Sequence, residues 1–154
     1  MKRNLIYTIL LSFIPVIMVA ILGSVFVRLG MDWFSLLVKP SQWIPDEVIP
    51  IVWTIIYLLT AIVLFLWLRN GNMPKNVIAL FIINGALNVL WCLLFFALQL
   101  TFVGVIAIVL NLVMGYCLLV EIKKENMLYF YMLAIYPLWL SIATTLNMAV
   151  WILN

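Results

Sequence analysis

Five long apolar runs without a charged side chain constrain this chain more than any other feature of its sequence. A helix of about 20 residues, rising about 1.5 Å per residue, spans the ~30 Å hydrocarbon layer of a bilayer. A transmembrane β-barrel would instead show shorter segments of alternating polarity. We therefore predict an all-α membrane protein, a bundle of five transmembrane helices in a single domain. The predicted spans are residues 5–27, 48–68, 77–98, 102–120 and 127–153.

The composition excludes an ordinary water-soluble domain. Apolar residues make up 69% of the 154 residues and charged residues only 8%, whereas a soluble domain carries about 25% charged residues. So few charges cannot cover a surface that faces water. The net charge of +3 requires no nucleic-acid partner, because it follows from basic residues in the loops. The expected surroundings are a lipid bilayer.

The basic residues are distributed unequally between the two ends of the predicted bundle. Only Arg28 and Lys39 fall on the side away from the N-terminus. Cytoplasmic loops of membrane proteins carry an excess of Lys and Arg. We therefore expect a multi-pass protein of the cell membrane, with its N-terminus in the cytoplasm and its C-terminus outside. The residues on the N-terminal side are Lys2, Arg3, Arg69, Lys75, Lys123 and Lys124.

The connection between the first two spans, residues 28–47, is the longest in the chain. Its aromatic residues, among them Trp33 and Trp43, favour an ordered loop over a flexible linker. At its end we expect Asp46 to cap the second helix, with Pro50 in the first turn, where its missing N–H costs nothing. The other connections are short and predict that consecutive helices are antiparallel neighbours.

Two prolines lie within the predicted spans, Pro15 in the first and Pro137 in the fifth. Proline has no backbone N–H and therefore removes one hydrogen bond from a helix. We expect each of them to kink its helix.

The chain offers few groups for acid–base or metal chemistry. It has no histidine, and both of its cysteines fall inside predicted spans. A histidine base, a histidine metal ligand and a disulfide framework are therefore not expected. We predict no metal site and no cofactor.

The few polar and aromatic side chains inside the spans share helix faces. An amide or indole N–H in hydrocarbon needs a partner or a cavity, so these faces are expected to turn inward. For Asn84 and Asn111 we favour a role in joining helices. For the remaining set we favour a cavity in the outer half of the bundle, suited to a large, flat, mostly apolar molecule. This set is Trp53, Asn88, Trp91, Trp139, Ala143 and Asn147.

Three segments resemble the translocator protein family, also called TspO/MBR, the tryptophan-rich sensory proteins or the peripheral-type benzodiazepine receptors. The first is Lys39-Pro40 with Trp43-x-Pro45, followed by Pro50-Ile51-Val52-Trp53-Thr54-x-x-Tyr57. The second is Asn88-x-x-Trp91-x-x-x-Phe95-Phe96. The third is Trp139-Leu140-x-x-Ala143-Thr144-Thr145-Leu146-Asn147-x-x-x-Trp151. The resemblance implies a bacterial member with a five-helix bundle, often dimeric.

The resemblance also implies a ligand. Family members bind porphyrins such as protoporphyrin IX, synthetic benzodiazepine-site drugs and, in animals, sterols, in a pocket closed by the first loop. Trp53 and Trp139 would be the residues implicated in the light-dependent degradation of protoporphyrin. The cholesterol-recognition pattern of animal members is incomplete here, because residues 146–154 hold no tyrosine and no basic residue. The implied pocket residues are Ile49, Trp53, Asn88, Trp91, Trp139, Ala143 and Leu146, and Asn147 shares their face.

Three functions remain open at this stage. The first is a membrane receptor or sensor for porphyrins and benzodiazepine-site-type lipophilic ligands. The second is a light-dependent porphyrin-degrading activity, in which the chemistry would come from the excited porphyrin and nearby indoles because no acid–base pair is present. The third is a passive transporter of lipophilic tetrapyrroles or sterols. Ion-coupled transport is disfavoured, because no ionisable carboxylate or amine lies in the spans.

Overall fold

The computed structural model describes residues 4–41 and 44–154, and within these ranges the fold is all-helical. Five helical stretches are long and apolar enough to cross a membrane. The predicted span 102–120 lies within one helix, and the predicted span 127–153 consists of two helices. The helices are α1 (Leu5–Ser35), α2 (Val48–Asn70), α3 (Lys75–Cys92), α4 (Thr101–Glu125), α5 (Met127–Leu133) and α6 (Ile135–Leu153), and a π-helical turn, Leu93–Ala97, continues α3.

The first helix is longer than predicted. It runs to Ser35, so the first part of the predicted loop is helical and the connection begins at Leu36. Aromatic residues at the end of α1 stabilise this extension, because they pack against the π-helical turn that follows α3. The Trp33 ring lies 6.0 Å from that of Phe95, and the Phe34 ring lies 5.2 Å from that of Phe96.

Polar contacts fix the connection from α1 to α2. The Asn154 side chain accepts a hydrogen bond from the Val38 N–H (2.9 Å) and donates one to the Val38 carbonyl (3.1 Å). Lys39 Nζ lies 3.4 Å from Asp46 Oδ2 and 4.7 Å from the centre of the Phe34 ring. Trp43, which the sequence places in this loop, lies outside the described residues.

Asp46 does not cap α2, contrary to the sequence prediction. The residue at the cap position is Glu47, and its side chain makes no capping hydrogen bond. The reason is local, because the first helical N–H, that of Val48, already donates to the Pro45 carbonyl at 3.0 Å. Asp46 is instead the ion-pair partner of Lys39.

The helices close into a ring in which α1 lies between α2 and α3. The ring continues from α3 to α4, then to α5 and α6, which return to α2. The prediction that consecutive helices are neighbours is wrong for α2 and α3: no Cα atom of one lies within 8 Å of a Cα atom of the other, and both helices are described in full. Their connection, residues 71–74, can still bridge the gap, because an extended chain covers about 3.5 Å per residue.

Glycines bring α1 and α3 together at one end of the bundle. We call the end with the 36–47 connection the loop side, and the end with Asn4 the N-terminal side. On the loop side, a Cβ added to Gly30 would lie 2.1 Å from the Phe96 carbonyl oxygen. Farther from the loop side, a Cβ added to Gly85 would lie 3.2 Å from Val19 Cγ2. The two backbones are therefore in direct contact at the loop side.

Pro137 interrupts the fifth span, as predicted. Helix α5 ends at Leu133 and α6 begins at Ile135, because proline has no N–H to donate to the Leu133 carbonyl. The next bond, from the Leu138 N–H to the Ala134 carbonyl, is long at 3.4 Å. Pro15, by contrast, lies within an uninterrupted α1.

We predict that Gly30→Ala destabilises the bundle. Its Cβ would overlap backbone atoms of Phe96, which a change of rotamer cannot relieve, and overpacking of this kind costs about 1–3 kcal/mol. Thermal unfolding in detergent micelles measures the loss. Gly71→Ala is the control, because nothing lies within 4 Å of its added Cβ. Equal unfolding temperatures for the two variants would contradict the close approach of α1 and α3.

Candidate functional site

A cavity of about 530 Å³ lies between the helices and extends toward the N-terminal side. Its walls are overwhelmingly apolar, with side chains such as Val16, Ile56 and Leu118. The volume falls within the ~300–1,000 Å³ range of small-molecule sites. At its loop-side end the cavity is bordered by Trp53 and Asn88. These two are the members of the predicted site that line it.

Trp53 links the cavity to a cluster of packed aromatic and amide side chains. Its ring stacks on that of Trp91, with centres 6.1 Å apart and planes 29° apart. Trp91 Nε1 donates a buried hydrogen bond of 3.0 Å to Asn147 Oδ1, and Asn147 Nδ2 donates to the Ala143 carbonyl at 2.8 Å. These contacts join α2, α3 and α6. We call Trp53, Trp91, Ala143 and Asn147 the tryptophan–amide cluster.

The rest of the predicted site lies beside this cluster rather than in the cavity. Trp139 is buried, and its Nε1 has no hydrogen-bond partner among the described residues. The hydroxyl of Thr144, also buried, has none either. Ile49 and Leu146 are half-buried. The structure thus brings Trp53, Trp91 and Asn147 together and leaves the Trp139 indole N–H unpaired.

Tyr57 is a cavity residue that the predicted site omitted. Its hydroxyl donates to Asn88 Oδ1 at 3.1 Å, and its ring stacks on that of Trp53 at 5.6 Å. Asn88 Nδ2 is buried and has no partner among the described residues. The signal in the sequence is the spacing, because Tyr57 follows Trp53 by about one helical turn and so shares its face.

A second polar group lies farther along the cavity wall and connects α3, α4 and α6. The Tyr136 hydroxyl donates toward Asn111 Oδ1 (3.0 Å) and Asn84 Oδ1 (3.3 Å). Asn84 Nδ2 donates to the carbonyls of Leu80 (2.8 Å) and Met114 (3.1 Å). The interpretation of Asn84 as a residue that joins helices is therefore confirmed. The predicted site did not include Tyr136, which the structure places on the cavity wall.

The lining of the cavity suits uncharged chemistry. Among the described residues around it, no Lys, Arg, Asp or Glu takes part. The polar groups that do take part are amides, phenols and a threonine hydroxyl. An isolated charge placed there would lose its hydration without compensation. The described residues also contain no group of three His, Cys, Asp or Glu side chains placed to hold a metal ion.

We predict that Asn147→Ala destabilises the bundle by about 1 kcal/mol, because it leaves the buried Trp91 N–H unpaired and interhelical hydrogen bonds in membranes are worth about that much. Thermal unfolding in micelles is the measurement. Asn76→Ala is the control, since it removes an exposed hydrogen bond to Glu121. A loss no larger than that of the control would show that the Trp91–Asn147 bond does not stabilise the cluster.

Comparison with known proteins identifies related sequences. The sequence pattern of the TspO/MBR family matches residues 11–152. The chain is 30% identical over 148 residues to the tryptophan-rich protein TspO of Archaeoglobus fulgidus, covering 93% of this chain and 94% of that protein. It is 31% identical over 136 residues to the tryptophan-rich protein TspO of Chlorobaculum tepidum, covering 86% of each. It is 29% identical over 126 residues to protein CrtK of Rhodobacter capsulatus, covering 79% and 78%.

Proposed function

Because the chain belongs to the TspO/MBR family and is therefore a multi-pass membrane protein of a sensor or receptor family, we propose that it binds flat lipophilic ligands. The natural ligand in this proposal is a porphyrin such as protoporphyrin IX, and benzodiazepine-site-type compounds compete for the same site. The observation that carries the proposal is the apolar cavity of about 530 Å³ with the half-buried Trp53 indole at its end.

Stacking favours a flat aromatic ligand over an aliphatic one. Trp53 already stacks on Tyr57 and Trp91, so its ring plane is fixed by neighbours before a ligand arrives. An aromatic pair contributes about 0.5–1.5 kcal/mol beyond the area it buries. A fixed ring also saves the cost of ordering it on binding. In this proposal a macrocycle enters the cavity and lies against Trp53.

The unpaired donors near the cavity support the same site. Asn88 Nδ2 and Trp139 Nε1 are both buried without a partner among the described residues. An unsatisfied buried donor costs about 1–3 kcal/mol, and a ligand with an acceptor atom recovers that energy. Trp139 is buried and does not line the cavity, so in this proposal a ligand that reaches it must first displace its neighbours. Ile49 and Leu146 would then border the loop-side part of the site.

The topology and assembly are part of the proposal. The basic residues Arg69, Lys75 and Lys123 all stand at the N-terminal side of the bundle. By the excess of basic residues in cytoplasmic loops, this side faces the cytoplasm of a cell membrane and the C-terminus lies outside. We further propose a homodimer, which the family resemblance implies. Cross-linking in native membranes tests the dimer: a band at the monomer mass alone would refute it.

We predict that Trp53→Ala weakens protoporphyrin IX binding about tenfold, because loss of the stacking surface removes about 1.4 kcal/mol. Titration of the purified protein, followed by the absorbance of the porphyrin, measures the affinity. Trp151→Phe is the control: the Trp151 ring packs at a tilt against that of Phe102, with centres 5.0 Å apart, and Trp151 does not line the cavity. Equal affinities for the two variants would exclude Trp53 from the site, and no binding to either variant or to the unmodified protein would exclude the ligand.

Illumination of the complex separates binding from degradation. A receptor binds and releases protoporphyrin IX without altering it. We therefore expect the bound porphyrin to bleach no faster with the unmodified protein than with the double variant Trp53→Phe Trp139→Phe. The alternative is light-dependent degradation, for which the favouring observation is the buried Trp139 indole, whose N–H has no hydrogen-bond partner among the described residues. Faster pigment loss with the unmodified protein, measured at equal bound porphyrin, would establish the alternative. Passive transport of a tetrapyrrole would appear instead as flux across sealed vesicles.

A further inference from the structure

The close contacts between α1 and α3 at their glycines lie between the middle of the two helices and the loop side. Both helices start on the N-terminal side, so they run parallel. They touch where Gly30 meets Phe96, where Gly23 meets Cys92 and where Gly85 meets Val19. Around that last contact and toward the N-terminal side of it, residues of both helices line the cavity, with Ala86 and Asn88 of α3 at its loop-side end. The two helices thus form a cleft whose closed end is on the loop side.

The cleft connects the cavity with the outside of the bundle. Leu11 and Pro15 of α1 line the cavity and are also exposed, as are Ile82 and Ala86 of α3. Ile82 is 67% exposed, so it forms part of the rim as well as part of the wall. In a membrane-embedded helix such exposure faces lipid. Hydrocarbon from the bilayer therefore has a sideways path into the cavity.

The cavity is elongated along the helix axes. On α2 its lining runs from Trp53 to Leu68, a distance of about 22 Å at the rise of an α-helix. This is roughly three quarters of the ~30 Å hydrocarbon layer. A long, narrow, apolar space parallel to the membrane normal matches the shape and direction of a lipid acyl chain.

The N-terminal end of the cavity is adjacent to positive charge. Leu68 precedes Arg69, Met73 lies just before Lys75, and Ile122 precedes Lys123; the first residue of each pair lines the cavity. The nearby carboxylate of Glu121 is paired with Lys124 and so does not offset these charges. A phosphate at the bilayer surface would be attracted here, since each basic residue near the surface favours anionic lipid.

We infer that the cavity takes one acyl chain of an anionic phospholipid, admitted from the bilayer through the cleft between α1 and α3. The phosphate then lies near Lys75 at the N-terminal side, and the chain extends toward Trp53. The inference is independent of the porphyrin proposal, because it rests on the cleft and the basic end. Where both ligands bind, they compete for the same apolar volume.

The test uses the full chain reconstituted in phosphatidylglycerol bilayers and re-extracted in mild detergent. Intact-complex mass spectrometry then counts the lipids retained on each chain. We expect one tightly held phosphatidylglycerol, lost in Ala86→Phe, where a phenyl ring occupies the cleft. Ala79→Phe is the matched control, because Ala79 is an exposed residue of the same helix that does not line the cavity. Equal retention in the two variants, or none in the unmodified protein, would overturn the inference.

A second variant keeps the test decisive if Ala86→Phe fails to fold. Lys75 is exposed at the start of α3, so Lys75→Gln leaves the apolar packing unchanged. It should reduce the preference for phosphatidylglycerol over phosphatidylcholine about fivefold. An unchanged preference would refute the placement of the phosphate. Because lipid retention is read without porphyrin, the result is distinguishable from a failure of the porphyrin proposal.

Discussion

The close packing of α1 on α3 is the contact on which the rest of the structure depends. Gly30 allows the α1 backbone to touch that of Phe96. The contact holds α1 against α3, so that α1 lies between α2 and α3. Because the two helices meet on the loop side, they leave space on the N-terminal side, and the cavity occupies it. In a membrane no hydrophobic effect drives helices together, so contacts between small residues of this kind determine where a bundle closes and where it stays open.

The polar groups inside the bundle are of two kinds, those with a hydrogen-bond partner and those without one among the described residues. Those that pair across helices tie neighbouring helices together: Asn84 Nδ2 donates to the Met114 carbonyl, and Asn147 Oδ1 accepts from Trp91 Nε1. Asn88 Nδ2 and Trp139 Nε1 have no partner among the described residues, and of these two residues only Asn88 lines the cavity that a ligand would enter. Trp53 connects the tryptophan–amide cluster with the cavity, because its ring stacks on that of Trp91 and also lines the cavity.

The helical fold could be predicted from hydropathy alone, because uncharged runs of membrane length leave few alternatives. The sequence could not reveal that residues 28–35 continue α1, since their aromatic partners Phe95 and Phe96 are distant in the chain. Nor could it reveal that α1 separates α2 from α3, which depends on the contact at Gly30. That Trp53, Trp91 and Asn147 face inward could be predicted from their spacing. The position of the cavity could not, because it depends on how the helices pack against one another.

The proposed ligand site is the cavity that residues of every helix from α1 to α6 line. A structure determined with protoporphyrin IX bound tests it most directly. We expect the macrocycle to lie against the Trp53 ring, with its body between α1 and α3 in the cavity of about 530 Å³. A porphyrin on the outer surface of the bundle, with this cavity unchanged and Trp53 untouched, would contradict it.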